Sequence, residues 1–218
     1  MNNPFDYFDK IYCICGEHET TRWERCCEQF EKLGIMDRVE RFSDFASQEE
    51  LKKCKMGGCK HSHYSVIKLA RNENLRNVFI FESDFHFINY DFDLMKKSFE
   101  SLNDVDWKLF YVGGTPNNVY GIISEHLVKS SVSLAHAYAV NGKYLDEVIK
   151  KQEKKPHVIN DQIYRRVRKF NLGNFAYYSY PMFVTQKDGP IEVKRHNYAT
   201  KMYNRKIEPK MKKYLTEE

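Results

Sequence analysis

Short apolar runs alternate along the chain with longer segments in which apolar residues recur every three or four positions. The first pattern is typical of buried strands, and the second is typical of helices with one apolar face. Strands are therefore predicted at Lys10–Cys15, Arg38–Phe42, Trp107–Val112 and His136–Val140, with a further strand starting at Val78. Helices are predicted at Arg22–Leu33, Gln48–Lys53, Ser62–Asn72, near 91–102, at Lys143–Lys151 and from about Asn160 to Phe170.

This alternation predicts an α/β fold with a mostly parallel central sheet flanked by helices on both faces. In such sheets, ligands bind at the carboxyl ends of the strands. The chain has 218 residues and contains no linker, repeat or low-complexity tract, so a single domain is expected.

The net charge of +5 lies mainly in the segment 187–218, which holds nine Lys or Arg and five acidic residues. We therefore divide the chain into a body, 1–186, and a basic C-terminal extension, 187–218, that packs on the body or trails from it. A basic segment attracts anionic partners such as nucleic acid, a membrane surface or a phosphorylated glycan. A solvated basic terminus is the favoured interpretation.

The chain starts with Met1-Asn2-Asn3-Pro4 and lacks the basic and apolar segments of a signal peptide. It also lacks a run of ~20 apolar residues that could span a membrane. A soluble, cytoplasmic protein is expected, and its six cysteines, all within the first 59 residues, are predicted to be reduced thiols. No pattern indicates an oligomeric state.

One cysteine and histidine cluster raises the question of zinc. Cys54, Cys59, His61 and His63 carry the thiol and imidazole groups that zinc prefers. Their spacing matches no structural zinc motif, so free thiols are the favoured interpretation.

Two carboxylates close the most apolar strand. The run that begins at Val78 leads into Glu82-Ser83-Asp84, and an isolated charge is costly to bury unless it is paired or bound to a metal. A divalent cation would satisfy both acids, and their side chains share one face if the strand continues through them. The alternative is that both acids merely end the strand at a solvated edge.

Several segments between Lys10 and Gln186 resemble, in order, those of family 25 glycosyltransferases, the group of lipooligosaccharide and collagen glycosyltransferases. The most specific is Gly58-Cys59-Lys60-His61-Ser62-His63, which is similar to the family's Gly-Cys-x-x-Ser-His. Phe79 to Asp84 resembles its Ile-x-Glu-Asp-Asp signature, with Ser83 replacing the middle acid. The other similar segments are Lys10–Ile14 followed by Arg22 or Arg25, Leu33–Ile35, Asp106–Gly113, His136–Tyr138, Asn160–Asp161 and Pro181–Gln186.

The resemblance implies a single GT-A-like domain that transfers a sugar from a nucleotide donor, usually a UDP-sugar, to a hydroxyl of a glycan or protein acceptor with inversion. It implies Mn²⁺ or Mg²⁺ at the diphosphate, which neutralises the charge of the leaving group. Asp84 is the first expected metal ligand, and Glu82 is either a second ligand or a partner of the ribose. The remaining expected roles are a third metal ligand at His196, a general base at Asp161, and donor contacts from Ser62, His63 and Arg22.

Two other classes of protein stay open. An inactive homologue would bind a nucleotide or glycan without turnover. A nucleic-acid-binding module would use the basic extension, where Tyr198, Tyr203 and Tyr214 lie among lysines. The acceptor side is expected in loops around 115–120 and after Asp188.

Overall fold

The computed structural model describes residues 3–158, 176–186 and 199–217. The strands are β1 (Lys10–Ile14), β2 (Val39–Phe42), β3 (Asn77–Glu82), β4 (Phe85–Phe87), β5 (Leu109–Tyr111), β6 (Thr115–Ser124), β7 (Leu127–Ser133), β8 (Ala137–Asn141), β9 (Ala176–Ser179) and β10 (Val184–Gln186). The helices are α1 (Thr20–Lys32), α2 (Gln48–Cys54), α3 (Gly58–Asn72), α4 (Phe92–Glu100), α5 (Leu145–Lys154) and α6 (Glu208–Glu217), and residues 199–206 are also helical.

Eight strands of the described residues form one sheet in the order β2-β1-β3-β8-β5-β9-β7-β6. Six of them run in the same direction, while β7 and β8 run against them. The predicted α/β fold with a mostly parallel sheet is therefore confirmed. A second, two-stranded sheet joins β4 to β10.

Alternate residues of the central strands supply two hydrophobic cores, one on each face of the sheet. In β3, Phe79 and Phe81 contribute to the core under α1 and α4, whereas Val78 and Ile80 contribute to the core under α3 and α5. Strands that are buried on both faces read as continuous apolar runs, which explains why β3 was visible in the sequence.

The described part of the C-terminal segment packs on the body. Ile207 and Met211 are buried in the same core as Val78 and Ile80. Tyr203 is also buried there, and its ring stacks on Tyr180 with the centroids 6.2 Å apart. This tyrosine serves the core and is not part of a basic stacking surface; Tyr198 lies outside the described residues.

Several predicted boundaries were wrong. Residues 115–120, expected in an acceptor-side loop, belong to β6, which forms a hairpin with β7. Its outer positions are half-buried or exposed, so the segment lacks the apolar run by which we predicted strands. Helix α3 begins at Gly58, four residues before the predicted start. The prediction missed its first turn because that turn carries polar residues and shows no apolar spacing.

All six cysteines fall within the described part of the chain, and none of them forms a disulfide there, in agreement with the predicted reduced state. Burial raises the pKa of Cys15 to about 11, which keeps this thiol protonated. In the described ranges, no helix combines the length and the apolar character that crossing a bilayer requires.

Candidate functional site

Three parallel strands end side by side at one edge of the sheet. Ile14 of β1 is level with Phe42 of β2 on one side and with Glu82 of β3 on the other. The chain then turns away at Ser83, whose backbone N–H donates to the carbonyl of Ile14 over 3.1 Å. This is the edge at which ligands of open α/β sheets bind.

Asp84 lies in the turn between β3 and β4, so the strand does not continue through the two acids as the shared-face argument required. Its side chain is half-buried, and its Oδ2 accepts a hydrogen bond of 3.0 Å from Nε2 of Gln186. Gln186 is brought there by the pairing of β10 with β4, which aligns it with Phe85. The pairing thus fixes the position of Asp84 from a distant part of the chain.

Glu82, the last residue of β3, faces helix α3. Its Oε1 lies 2.8 Å from Nε2 of His63, and Nδ1 of the same ring lies 2.9 Å from the hydroxyl of Tyr138 in β8. His63 and Tyr138 are fully buried, while the side chain of Glu82 is 21% exposed. The imidazole is therefore held between two partners with both nitrogens engaged.

Electrostatics favour a charged His63–Glu82 pair. Burial lowers the pKa of His63, but hydrogen bonds with Cys59 and Glu82 outweigh it and raise the pKa to about 10. Burial raises the pKa of Glu82, yet the attraction of His63 dominates and the net shift is downward. Both shifts agree in direction, so at neutral pH the pair is an imidazolium and a carboxylate.

Cys59 extends this pair to a cluster of three potential metal ligands. Its Sγ donates to Oε1 of Glu82 over 3.8 Å, and one ligand atom from each of Cys59, His63 and Glu82 lies within 4.8 Å of the others. Asp84 is not a member of this group. Cys54 and His61 are not members either. Sγ of Cys54 contacts the carbonyl of Leu51, and Nδ1 of His61 lies 3.4 Å from the hydroxyl of Ser65, each within its own helix.

His136 is a site residue that sequence analysis missed, since it was assigned only to a strand. The ring is fully buried, and within the described chain neither nitrogen makes a hydrogen bond of ordinary geometry. Burial lowers its pKa to about 4 against the attraction of Glu82, so the ring is neutral at pH 7. Its backbone carbonyl accepts from the N–H of Glu82 over 3.0 Å, which ties β8 to the end of β3.

The predicted donor contacts are dispersed. Ser62 is buried, and its hydroxyl donates to the carbonyl of Gly58 within α3 over 3.1 Å. Arg22 pairs with Glu19 over 2.8 Å, and Glu19 also accepts from the N–H of Gly16 just after β1. Asp161 and His196 lie outside the described residues.

A second arginine at this edge was not predicted. Arg41 of β2 donates through Nε to the carbonyl of Cys15 over 3.1 Å and through Nη2 to Gly16. Its guanidinium lies 4.7 Å from the ring centroid of Trp23. Arg41 therefore fixes the loop after β1 and places a positive charge beside it.

Comparisons with known proteins place the fold. No family model and no curated protein matches the sequence. Among solved structures, a glycosyltransferase involved in the glycosylation of the major capsid of PBCV-1 superposes with a TM-score of 0.51 at 14% identity, over 88% of this chain and 98% of that chain. Mannose-1-phosphate geranyltransferase from Thermus thermophilus superposes with a TM-score of 0.48 at 8% identity, over 80% of this chain and 74% of that chain. UTP-bound UGPase from Acinetobacter baumannii superposes with a TM-score of 0.46 at 9% identity, over 92% of this chain and 75% of that chain.

The chain therefore shares its α/β fold with the capsid glycosyltransferase. At 14% identity the likeness concerns the fold, and the chemistry has to be argued from the site itself.

Proposed function

We propose that this protein is a glycosyltransferase that takes a sugar from a nucleotide donor, a UDP-sugar, and attaches it with inversion to a hydroxyl of a glycan or protein acceptor. The resemblance to family 25 glycosyltransferases and the shared fold with a capsid glycosyltransferase support this proposal. The observation that carries it is Asp84, a carboxylate fixed at the edge where three parallel strands end.

The surroundings of Asp84 suit a hard divalent cation. Beside it, the amide oxygen Oε1 of Gln186 is buried and accepts no hydrogen bond from the described residues. Carboxylate and amide oxygens are ligands that Mg²⁺ and Mn²⁺ prefer. Asp84 with Gln186 would hold the ion, His196 is a proposed third ligand, and the bound ion would neutralise charge on the diphosphate.

Positive side chains at the same edge suit an anionic donor. Among the described residues, Arg41 contacts carbonyls and an aromatic ring and pairs with no carboxylate, so its charge is available to an anionic ligand. Arg22 lies on the helix that follows the loop held by Arg41. In this proposal Glu82 orients His63 and either contacts the ribose or adds a ligand to the ion, and Asp161 takes the proton of the acceptor hydroxyl.

The proposal is tested by screening nucleotide sugars for thermal stabilisation with and without Mn²⁺. A ligand present at 100 times its dissociation constant adds ~2.7 kcal/mol to the free energy of unfolding. We expect a UDP-sugar to stabilise the protein only in Mn²⁺ and to be consumed when an acceptor is supplied. Stabilisation without turnover across acceptors would indicate the inactive homologue, and salt-dependent binding of single-stranded nucleic acid without nucleotide binding would indicate the nucleic-acid module.

A first prediction concerns Asp84 itself. Asp84→Asn keeps the shape and removes the charge, so we expect the Mn²⁺-dependent part of donor stabilisation and the turnover of donor to be lost. The matched control is Asp93→Asn, which removes an exposed carboxylate from α4. Turnover of Asp84→Asn at the parental rate in Mn²⁺, with the fold intact, would show that the metal site has been misassigned.

A further inference from the structure

We propose that Cys59, His63 and Glu82 form a zinc site distinct from the Mg²⁺ or Mn²⁺ site at Asp84. This assignment replaces the role at the ribose or the donor's ion proposed above for Glu82, and it leaves Asp84 and Gln186 to the donor's ion. The inference does not depend on the proposed transfer reaction.

Helix geometry brings the first two ligands together. Helix α3 begins at Gly58, so Cys59 and His63 are four residues apart within it and lie on the same face. The end of β3 presents Glu82 to that face. All three ligands therefore lie on regular elements and not on loops.

The distances fit a zinc ion with a small adjustment. Tetrahedral zinc with sulfur at ~2.3 Å and oxygen at ~2.1 Å places these two ligand atoms about 3.6 Å apart. In the structure, Sγ of Cys59 and Oε1 of Glu82 are 3.8 Å apart. The nitrogen of His63 lies 2.8 Å from the same oxygen, and a zinc ion would separate the two to about 3.4 Å. The partly exposed side chain of Glu82 can accommodate this change.

The nitrogen of His63 that faces away from Cys59 and Glu82 contacts an oxygen, as it usually does in a zinc-bound histidine. Ligating histidines usually donate their second N–H to an oxygen, which fixes the ring and directs the other nitrogen to the metal. Here Nδ1 of His63 contacts the buried hydroxyl of Tyr138 at 2.9 Å, and Nε2 faces Glu82 and Cys59. On binding, zinc replaces the protons on Nε2 of His63 and Sγ of Cys59, which are released to solvent.

The chemistry of the three ligands favours zinc, and the solvent exposure of Cys59 and Glu82 indicates a site with an open coordination position. A thiolate and an imidazole favour zinc over Mg²⁺ or Mn²⁺. Cys59 is exposed and Glu82 is partly exposed, so a fourth coordination position would face solvent. Three protein ligands and one open position are the arrangement of zinc sites that bind an exchangeable ligand.

The test uses the full chain, stripped of metal with a chelator and free of nucleotide. Zinc is titrated against a chromophoric competitor, and Co²⁺ is added separately to look for a thiolate-to-metal charge-transfer band. We expect one zinc per chain and a cobalt band, and we expect chelation to leave the protein folded because His63 and Glu82 pair without metal.

Variants identify the site. Tyr138→Phe removes the hydroxyl that contacts His63 and should lower the zinc affinity by ~10–100-fold, as loss of a residue that hydrogen-bonds a metal ligand does. Cys59→Ser removes a ligand itself, so it should abolish the cobalt band and lower the zinc affinity by more than that. The control Cys54→Ser removes a nearby half-buried thiol that lies outside the cluster and should bind zinc as the parent does.

Two outcomes overturn the inference: the absence of a cobalt band in the parent, or equal zinc affinity in the parent and Cys59→Ser. Asp84→Asn separates the two proposals. It should lose Mn²⁺-dependent donor binding and keep its zinc affinity. Loss of zinc in Asp84→Asn would mean that the two ions share one site, which contradicts the inference and leaves the proposed transferase standing.

Discussion

Gly113 allows two elements of the site edge to approach each other. A methyl group at this position would lie 2.3 Å from the carbonyl oxygen of Val184 and 2.7 Å from Nε2 of His136. Val184 begins the strand that carries Gln186 to Asp84, and the carbonyl of His136 holds the end of β3. The absence of a side chain at Gly113 thus leaves room for the buried ring of His136 and for β10.

We therefore predict that Gly113→Ala destabilises the protein by about 1–3 kcal/mol, as overpacking of a tight interior does. The free energy of unfolding measured with denaturant checks this. Gly121→Ala is the matched control, because a methyl group in that strand position meets no atom within 4 Å. Equal effects of the two substitutions would contradict the role of the close contact between Gly113 and Val184 in stability.

The apolar run before Glu82 and Asp84 made both acids candidates, because an isolated buried charge is costly unless it is paired or bound to a metal. The partners of these acids could not be derived in the same way. His63 reaches Glu82 across 19 positions of sequence and Gln186 reaches Asp84 across 102, and such contacts depend on the packing of whole elements.

At the scale of elements, β1, β2, β3, β5 and β8 were predicted, and β1, β3 and β8 stand out because they are buried on both faces. The short strands β4, β9 and β10 were not predicted. The hairpin of β6 and β7 was missed, since β6 lies at the sheet edge with one face open. The early start of α3 was missed as well. Because α3 starts at Gly58, Cys59 and His63 are four residues apart in one helix and lie on the same face. A predicted helix that included Gly58 would have indicated this pair from the sequence.

Helix α3 also supports the end of another helix. Lys60 is buried, and its ammonium group donates to the carbonyls of Gln152 over 3.1 Å and of Lys155. These carbonyls lie at the C-terminus of α5, where the helix dipole is negative. Each also accepts a backbone N–H, Gln152 from Lys155 over 3.3 Å and Lys155 from Val158 over 3.1 Å, so Lys60 adds a charged donor to both. Burial lowers the pKa of Lys60. The cost of burying the charge is offset by this capping role.

We predict that Lys60→Met, which keeps the apolar stem and removes the charge, costs about 1.5–3 kcal/mol, as loss of hydrogen bonds from a charged group does. Amide exchange should accelerate first in the last turn of α5, because the carbonyls there lose the charged donor and keep only their backbone hydrogen bonds. The control is Lys68→Met, an exposed lysine of the same helix. Unchanged exchange in α5, together with an unchanged melting temperature, would contradict the capping role.

At the scale of the whole molecule, the fold gathers the candidate groups at one edge of the sheet. Arg41 comes from β2, Glu82 from the end of β3, Asp84 from the turn after it, and His63 from helix α3. Transfer to an acceptor needs one more group, a base on the side opposite the departing diphosphate. Our proposal assigns the role of this base to none of the described carboxylates. The resemblance to family 25 glycosyltransferases assigns it to Asp161.

The prediction for Asp161 separates catalysis from helix capping. Asn160 or Asp161 could equally cap a following helix, which is worth ~1 kcal/mol, and an asparagine caps as well as an aspartate. An asparagine cannot accept the acceptor's proton. Asp161→Asn should therefore lower the rate of transfer by ~10²–10⁴-fold at saturating donor, while the melting temperature and the dissociation constant of the UDP-sugar barely change. Asn160→Ala is the control, and it should lower stability if it caps the helix and leave the rate nearly unchanged. If Asp161→Asn transfers sugar within a few-fold of the parental rate, Asp161 is not the base, and the proton must pass to another group at this edge.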